Sequence, residues 1–298
     1  MSHTHDKKQV SLPKLVFTIF LNLIITVAQI IGGIISGSLA LISDAIHNFS
    51  DTVSVILAWF AQVLSRKPST QKSTFGYKRA EILAAFINSI VLIGISVYLI
   101  FEAIERLLHP QPVDAKWMFW LGLLGLVANG ISVLILEREK NKNINIKAAY
   151  LHLLGDALTS LTVITGAILI WFYDVIWVDA VVTIIIGVYL LVHTWKLLKE
   201  SVTILMQMTP AEIDINKIET RLQQVEGLKN IHHIHVWNLT DKLLHFECHL
   251  NLEHDLPVSA TADICEKVRK ILHDEFDIEH VTIQFEYGGK DKLGCDCD

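Results

Sequence analysis

The sequence predicts an α-helical membrane protein with six transmembrane helices, followed by a C-terminal cytoplasmic α/β domain. Three observations carry that prediction. The 298 residues are 52% hydrophobic and only 19% charged, with a mean hydropathy of +0.44. An ordinary soluble domain has about 45–50% apolar residues with glycine included, and about 25% charged. The apolar residues are concentrated between residues 15 and 205, whereas the last third reads as a normal soluble domain. This composition excludes a disordered or nucleic-acid-coating protein and argues against a plain cytosolic enzyme.

A helix crosses a bilayer with about 20 mostly apolar residues at ~1.5 Å rise. Six such segments are expected, at Lys14–Ile35, Leu39–Leu64, Arg79–Leu107, Lys116–Leu136, Ala148–Phe172 and Ile176–Leu198. The first is too long for a cleaved signal, and no small-residue cleavage site precedes the second. Their polar residues are too sparse to form the solvent face of a soluble helical core. Arg66, Lys67, Lys72, Lys78 and Arg79 crowd the 65–79 loop, and the amino end, the 137–147 loop and the end of the sixth segment are also basic. The opposite side offers only Arg106 and Lys116. Positive charge is retained on the cytoplasmic side, so both termini are expected there. The outward loops are short, which argues against an extracellular receptor. The expected organisation is a flexible cytoplasmic amino terminus (1–13), a transport domain embedded in the lipid bilayer (14–205), a cytoplasmic domain (206–288) and an acidic tail with Cys295 and Cys297 (289–298).

Ionisable residues at bilayer depth are costly and rare unless they line a path enclosed by protein. The second segment carries His47 and Asp51, and the fifth carries His152 and Asp156. A spacing of four puts each pair on one helical face. Brought together, the two faces supply two imidazole nitrogens and two carboxylate oxygens, a tetrahedral donor set for Zn²⁺. A helix–helix hydrogen bond explains one such pair, and a proton-only relay is the alternative for both. The mixed nitrogen and oxygen set suits Zn²⁺ better than Mg²⁺ or Ca²⁺, while Cd²⁺, Co²⁺, Ni²⁺ and Fe²⁺ pass the same test. Two carboxylates neutralise a divalent ion and so reduce the penalty of holding it in the membrane. Histidine titrates near neutral pH, so protons and metal compete for the same groups. That competition is the minimum chemistry of exchange by alternating access. Neither a phosphate-binding Gly-rich loop nor a polybasic block is present, which argues against nucleotide and nucleic acid as partners. Asn22, Gln29, Asn88 and Asn129 are expected to bond between helices or line a water path. Asp44, one turn outward of His47, is expected to face an outer vestibule, and Asn48 to support His47.

The tail is expected to fold as α-β-β-α-β, with helices at Ala211–Gln224 and Val258–Phe276 and strands at 231–239, 245–252 and His280–Tyr287. Alternation points Phe246, Cys248 and Leu250 inward and leaves His249 beside Glu286 on the polar face. Cys248 and Cys265 read as structural thiols. His232, His233 and His235 stand on the first strand. A second, cytoplasmic metal site is expected from His232, His249 and Glu286, helped by Cys295 and Cys297. A solvated histidine cluster is the alternative.

The stretches Gly37–Asp51, Thr74–Asn88, Asn145–Asp156, Lys199–Ser201, His232–Trp237 and Val281–Tyr287 resemble the cation diffusion facilitator family, over residues 14–287. The resemblance implies a homodimer of six-helix subunits with ferredoxin-like cytoplasmic domains, in the inner cytoplasmic membrane. It implies that His47, Asp51, His152 and Asp156 form the transport site, with Zn²⁺ as transported substrate and protons as counter-ion. Histidine as the first ligand resembles the zinc-preferring branch. The 137–147 loop lacks the histidine-rich insertion of many eukaryotic relatives. The expected function is therefore secondary active Zn²⁺ efflux, extending to Cd²⁺ or Co²⁺. A membrane metal sensor and an intramembrane hydrolase are the competing classes, and four protein ligands leave a hydrolase no open metal position.

Overall fold

The computed structural model describes residues 12–137, 144–241 and 243–288. The amino terminus, most of the 137–147 loop, Cys295 and Cys297 lie outside the described residues, as does the side chain of Asn22. Six long helices come first: α1 (Leu12–Ser36), α2 (Leu39–Ser65), α3 (Ala80–Leu108), α4 (Ala115–Glu137), α5 (Ile144–Tyr173) and α6 (Trp177–Leu205). Then follow α7 (Ile215–Leu222), β1 (Leu228–Asn238), β2 (Leu244–Leu252), α8 (Val258–Phe276) and β3 (His280–Tyr287). Among the described residues four helices, α3 to α6, are long and apolar enough to cross a membrane by length and composition alone. In α2 the three ionisable residues Asp44, His47 and Asp51 dilute the hydropathy.

The chain divides into two compact units, Met1–Ala58 with Ile87–Lys196, and Trp59–Phe86 with Leu197–Asp298. In the first unit polarity is inverted relative to a soluble protein. Ile34, Phe101, Phe172 and Val192 are exposed, whereas Thr26, Gln29, Asp44, His47, Asp156 and Asp179 are buried. Apolar side chains outside and polar ones inside are what a hydrocarbon solvent selects. Helix α4 packs against α5 and α1, around a core that includes Leu41, Met118, Val163, Ala167 and Leu190. Gly125 makes the close approach possible, because a Cβ there would stand 2.5 Å from the Gln29 amide nitrogen.

The first turn of α2 is capped by another helix. Asp179, near the start of α6, accepts from the Ser38 hydroxyl (2.6 Å) and from the backbone N–H groups of Leu39 (2.9 Å) and Ala40 (3.3 Å). Those N–H groups have no intrahelical acceptor, so the carboxylate satisfies them and offsets the positive end of the helix dipole. Arg106 of α3 donates to the carbonyl of Gly37, which turns the chain at φ +72°. Asp179 sits at the margin of a span, where sequence reading assigned no role to it.

In the second unit, the expected helix at Ala211–Gln224 is shorter. It begins after Asp214, whose carboxylate accepts from the Asn216 N–H as an N-cap. The three strands order β1-β2-β3, with β1 antiparallel to β2 and β2 parallel to β3. A parallel pair needs a crossover, which α8 provides. Ile218 and Leu222 of α7 and Val268 and Leu272 of α8 share one core with Ile231, Phe246, Cys248 and Leu250 of the sheet. Burial pushes the Cys248 thiol up to about 12, so it is inert packing.

Asp179→Ala should lower the thermal stability of the detergent-solubilised protein by roughly 1–3 kcal/mol, because two backbone donors lose their acceptor. A melting temperature equal to wild type contradicts the capping role.

Candidate metal sites

Helices α2 and α5 bring their histidine–aspartate pairs face to face. His47 Nε2 lies 3.0 Å from Asp156 Oδ1 on the opposing helix and 3.6 Å from Asp51 Oδ2 on its own. His152 Nε2 lies 3.3 Å from Asp51 Oδ2 across the gap and 3.8 Å from Asp156 Oδ2 on its own helix. The shorter contact crosses between helices in both cases. The two rings stand edge to face at 6.0 Å. With metal–ligand bonds near ~2.1 Å, donor atoms of a tetrahedral Zn²⁺ shell are about 3.3–3.5 Å apart. The four contacts bracket that spacing. Donor atoms of His47, Asp51 and Asp156 all lie within 4.8 Å of one another, whereas His152 stands outside that group and reaches it through Asp51 and Asp156.

Access to these four groups is graded. The side chains of Asp51 and His152 are 29% and 39% exposed, whereas those of His47 and Asp156 are 3% and 4% exposed.

One turn further along both helices the cleft is sealed. Asp44 is fully buried and does not face a vestibule. Its carboxylate accepts from Thr159 Oγ1 (2.9 Å), Ser160 Oγ (3.0 Å) and Gln29 Nε2 (3.3 Å). Gln29 thus bonds between helices as expected. So does Asn88, whose amide donates to Ser50 (3.2 Å) and Ser54 (2.7 Å) of α2. Asn129 is buried, and its amide nitrogen has no partner among the described residues. Asn48 is buried beside His47. Sequence reading missed Tyr189 and His193 of α6. Their rings stack at 6.2 Å, and Tyr189 meets the His47 ring edge to face at 6.2 Å. Their i,i+4 spacing was the available signal.

A second cluster lies in the other unit. His232 Nε2 stands 3.2 Å from Glu286 Oε2 and His249 Nδ1 2.9 Å from Glu286 Oε1. The register pairs His232 directly with His249. A bulge between His232 and His235 places His233 at φ +53°, with its ring 4.6 Å from that of His249 and 4.5 Å from that of His235. Bulges re-aim side chains in this way. The donor atoms of His232, His249 and Glu286 lie within 4.8 Å of one another, and His232 Nδ1 is buried without a partner among the described residues. Two imidazoles and a carboxylate fit a divalent ion such as Zn²⁺.

This architecture is that of a multi-pass membrane protein with a C-terminal cytoplasmic domain. The family model for the cation efflux transmembrane domain matches residues 15–206, and that for the cation efflux protein cytoplasmic domain matches residues 210–287. The chain belongs to the cation efflux, or cation diffusion facilitator, family, whose members are transporters and not enzymes. It is 37% identical to the metal cation efflux system protein CzcD of Cupriavidus metallidurans, over 95% of this chain and 89% of that protein. It is 40% identical to a cadmium, cobalt and zinc/H(+)-K(+) antiporter of Bacillus subtilis, over 87% of this chain and 84% of that one. It is 34% identical to the zinc transporter ZitB of Escherichia coli, over 96% and 93% of the two chains. The solved metal-bound C-terminal domain of the CzcD transporter is similar over 25% of this chain and 99% of that domain, with 32% identity and a TM-score of 0.23.

Glu286→Gln should remove about one Zn²⁺ per chain from the full-length protein in equilibrium dialysis at micromolar metal, because the amide no longer bridges the two imidazoles as an anion. Undiminished stoichiometry would show that the cluster holds no metal.

Proposed function

We propose that the chain exports Zn²⁺ from the cytoplasm in exchange for protons, by alternating access around His47, Asp51, His152 and Asp156. The observation that carries this reading is the reciprocal crossing of the two pairs between α2 and α5. In the metal-free form each imidazole shares a proton with a carboxylate of the opposing helix. An ion entering between them takes the same four atoms and displaces those protons. The half-open pair, Asp51 and His152, meets the ion first from the cytoplasmic side. The buried pair, His47 and Asp156, then completes the shell. Rocking of the helices presents the loaded site outward, where protons reclaim the imidazoles and carboxylates and the ion leaves. An inward proton gradient sets the direction.

The reading takes α1 to α6 as six spans in the inner membrane, with both termini cytoplasmic and two copies associating as a homodimer. The names of the relatives support zinc as the substrate and make cadmium and cobalt its natural competitors. The His232–His249–Glu286 cluster serves as a regulatory Zn²⁺ site. Metal bound there tightens β1, β2 and β3 when cytosolic Zn²⁺ rises, since binding free energy becomes ordering free energy. Cys295 and Cys297 are further candidate donors to it.

In proteoliposomes carrying a zinc-sensitive dye under a pH gradient, wild type should move Zn²⁺ and Asp156→Ala should not. Flux that survives the substitution rejects the site. His47→Asp replaces a borderline nitrogen with a hard oxygen and should lower the Zn²⁺ to Mn²⁺ flux ratio by about tenfold or more. An unchanged ratio means that His47 does not select the ion.

A further inference from the structure

We infer that Asp44, Thr159, Ser160 and Gln29 form a second cation station, built of oxygen donors alone, one helical turn outward of the His47–Asp51–His152–Asp156 site and occupied while an ion leaves. The inference rests on the transport reading above. Its first support is position. Asp44 precedes His47 by three residues and Asp51 by seven, so all three share one face of α2. Thr159 and Ser160 follow Asp156 by three and four residues on α5, continuing the metal-facing stripe there as well. An ion moving outward along the seam between α2 and α5 meets these groups next. Thr159 links the two levels directly, because its hydroxyl lies 2.9 Å from Asp44 Oδ1 and 2.8 Å from the Asp156 carbonyl.

The second support is the chemistry of the cluster. Asp44, Gln29 and Ser160 are fully buried. The neighbours that hydrogen-bond the Asp44 carboxylate are two hydroxyls and one amide, with no lysine or arginine among them. A carboxylate enclosed in a membrane domain by neutral donors is an expensive arrangement that a passing cation makes favourable. The neighbouring turns of α1 and α2 also carry buried oxygens with nothing to bond among the described residues. Gln29 Oε1, Ser43 Oγ beside Asp44, and Thr26 Oγ1 three residues before Gln29 on α1 are all buried and lack a partner among the described residues. Buried polar atoms left open in this way call for a ligand, and lone pairs on oxygen call for a cation. Helix α4 contributes Gly125 to the cluster's wall. A Cβ there would stand 2.5 Å from Gln29 Nε2 and 3.4 Å from Ser160 Oγ, so the glycine leaves the amide and the hydroxyl in place.

An oxygen-only set holds Zn²⁺ less tightly than a site with two imidazoles. That inequality suits an exit, where a station must lower the cost of leaving the deep site without becoming a trap. The amide and hydroxyls also close the cleft when no ion is passing, since Asp44 then draws α1 and α5 onto α2.

The test uses the full chain. Asp44→Asn keeps the size and most of the hydrogen bonds but removes the charge. Its equilibrium Zn²⁺ affinity should stay within about threefold of wild type, while turnover in proteoliposomes falls at least tenfold at little-changed KM. Asp44→Glu, which retains the carboxylate, should recover much of the loss. Mn²⁺, an oxygen-seeking ion, gives a direct readout by electron paramagnetic resonance. Wild type should bind one more Mn²⁺ than Asp44→Asn, and Asp51→Asn should retain that Asp44-dependent ion. Unchanged turnover in Asp44→Asn overturns the proposal, and so does the absence of an Asp44-dependent Mn²⁺. A loss of Zn²⁺ affinity matching that of Asp51→Asn places Asp44 in the deep site and overturns it, and a loss of binding accompanied by a lowered melting temperature reduces Asp44 to packing. Zinc flux that persists in Asp51→Asn instead defeats the transport site and is distinguishable from all of these.

Discussion

The first unit is organised around two ionisable groups on α2 that have to find their counterparts on α5. In hydrocarbon, an unpaired imidazolium or carboxylate is unfavourable enough to exclude most helix arrangements. The crossed contacts His47–Asp156 and Asp51–His152 meet that demand with the smallest possible set of atoms. The same arrangement leaves the pairs exchangeable, because whatever positive charge sits between the carboxylates, protons or a divalent ion, satisfies them. In the exchange proposed above, stability and substrate binding become one electrostatic requirement, met alternately by two kinds of cation.

Holding α2 in register with α5 falls to polar residues outside the two histidine–aspartate pairs. Asp179 caps the first turn of α2 from α6, Asn88 ties α3 to Ser50 and Ser54, and Asp44 is held by donors from α1 and α5. Apolar packing cannot supply this specificity, since lipid is as apolar as leucine and rewards no particular helix pairing. Small residues complete the device. Gly125 lets α4 approach the point where Gln29 and Ser160 meet the Asp44 carboxylate. The gradient of exposure from Asp51 and His152 inward to Asp44 follows from this distribution, with the ties concentrated at the closed end.

The second unit reaches a similar donor chemistry by different means. Its histidines lie on a sheet, where register rather than helical periodicity decides who meets whom. The antiparallel pairing of β1 with β2 sets His232 opposite His249, and the parallel addition of β3 through α8 brings up Glu286. All three cluster side chains are partly exposed, at 12%, 20% and 27%, whereas the site between α2 and α5 pairs two partly exposed groups with two buried ones.

Much of this protein is legible in its residues taken in order. Long apolar runs, the double i,i+4 spacing of histidine and aspartate, and the strict alternation along β2 are local periodicities, and local periodicity reports which face of an element is special. It does not report what that face will touch. Asp44 looks like an exposed charge until three donors from two other helices enclose it. Asp179 looks like a residue at a span margin until the bare N–H groups of α2 arrive beside it. The bulge that turns His233 toward His249 leaves no trace in the alternation of β1, and α7 is shorter than its amphipathic pattern because Asp214 caps it late. Elements and candidate ligands are thus written in one dimension. Which carboxylate becomes a ligand, a cap or an enclosed charge was decided only by folding, because burial and hydrogen bonding belong to pairs of residues distant along the chain.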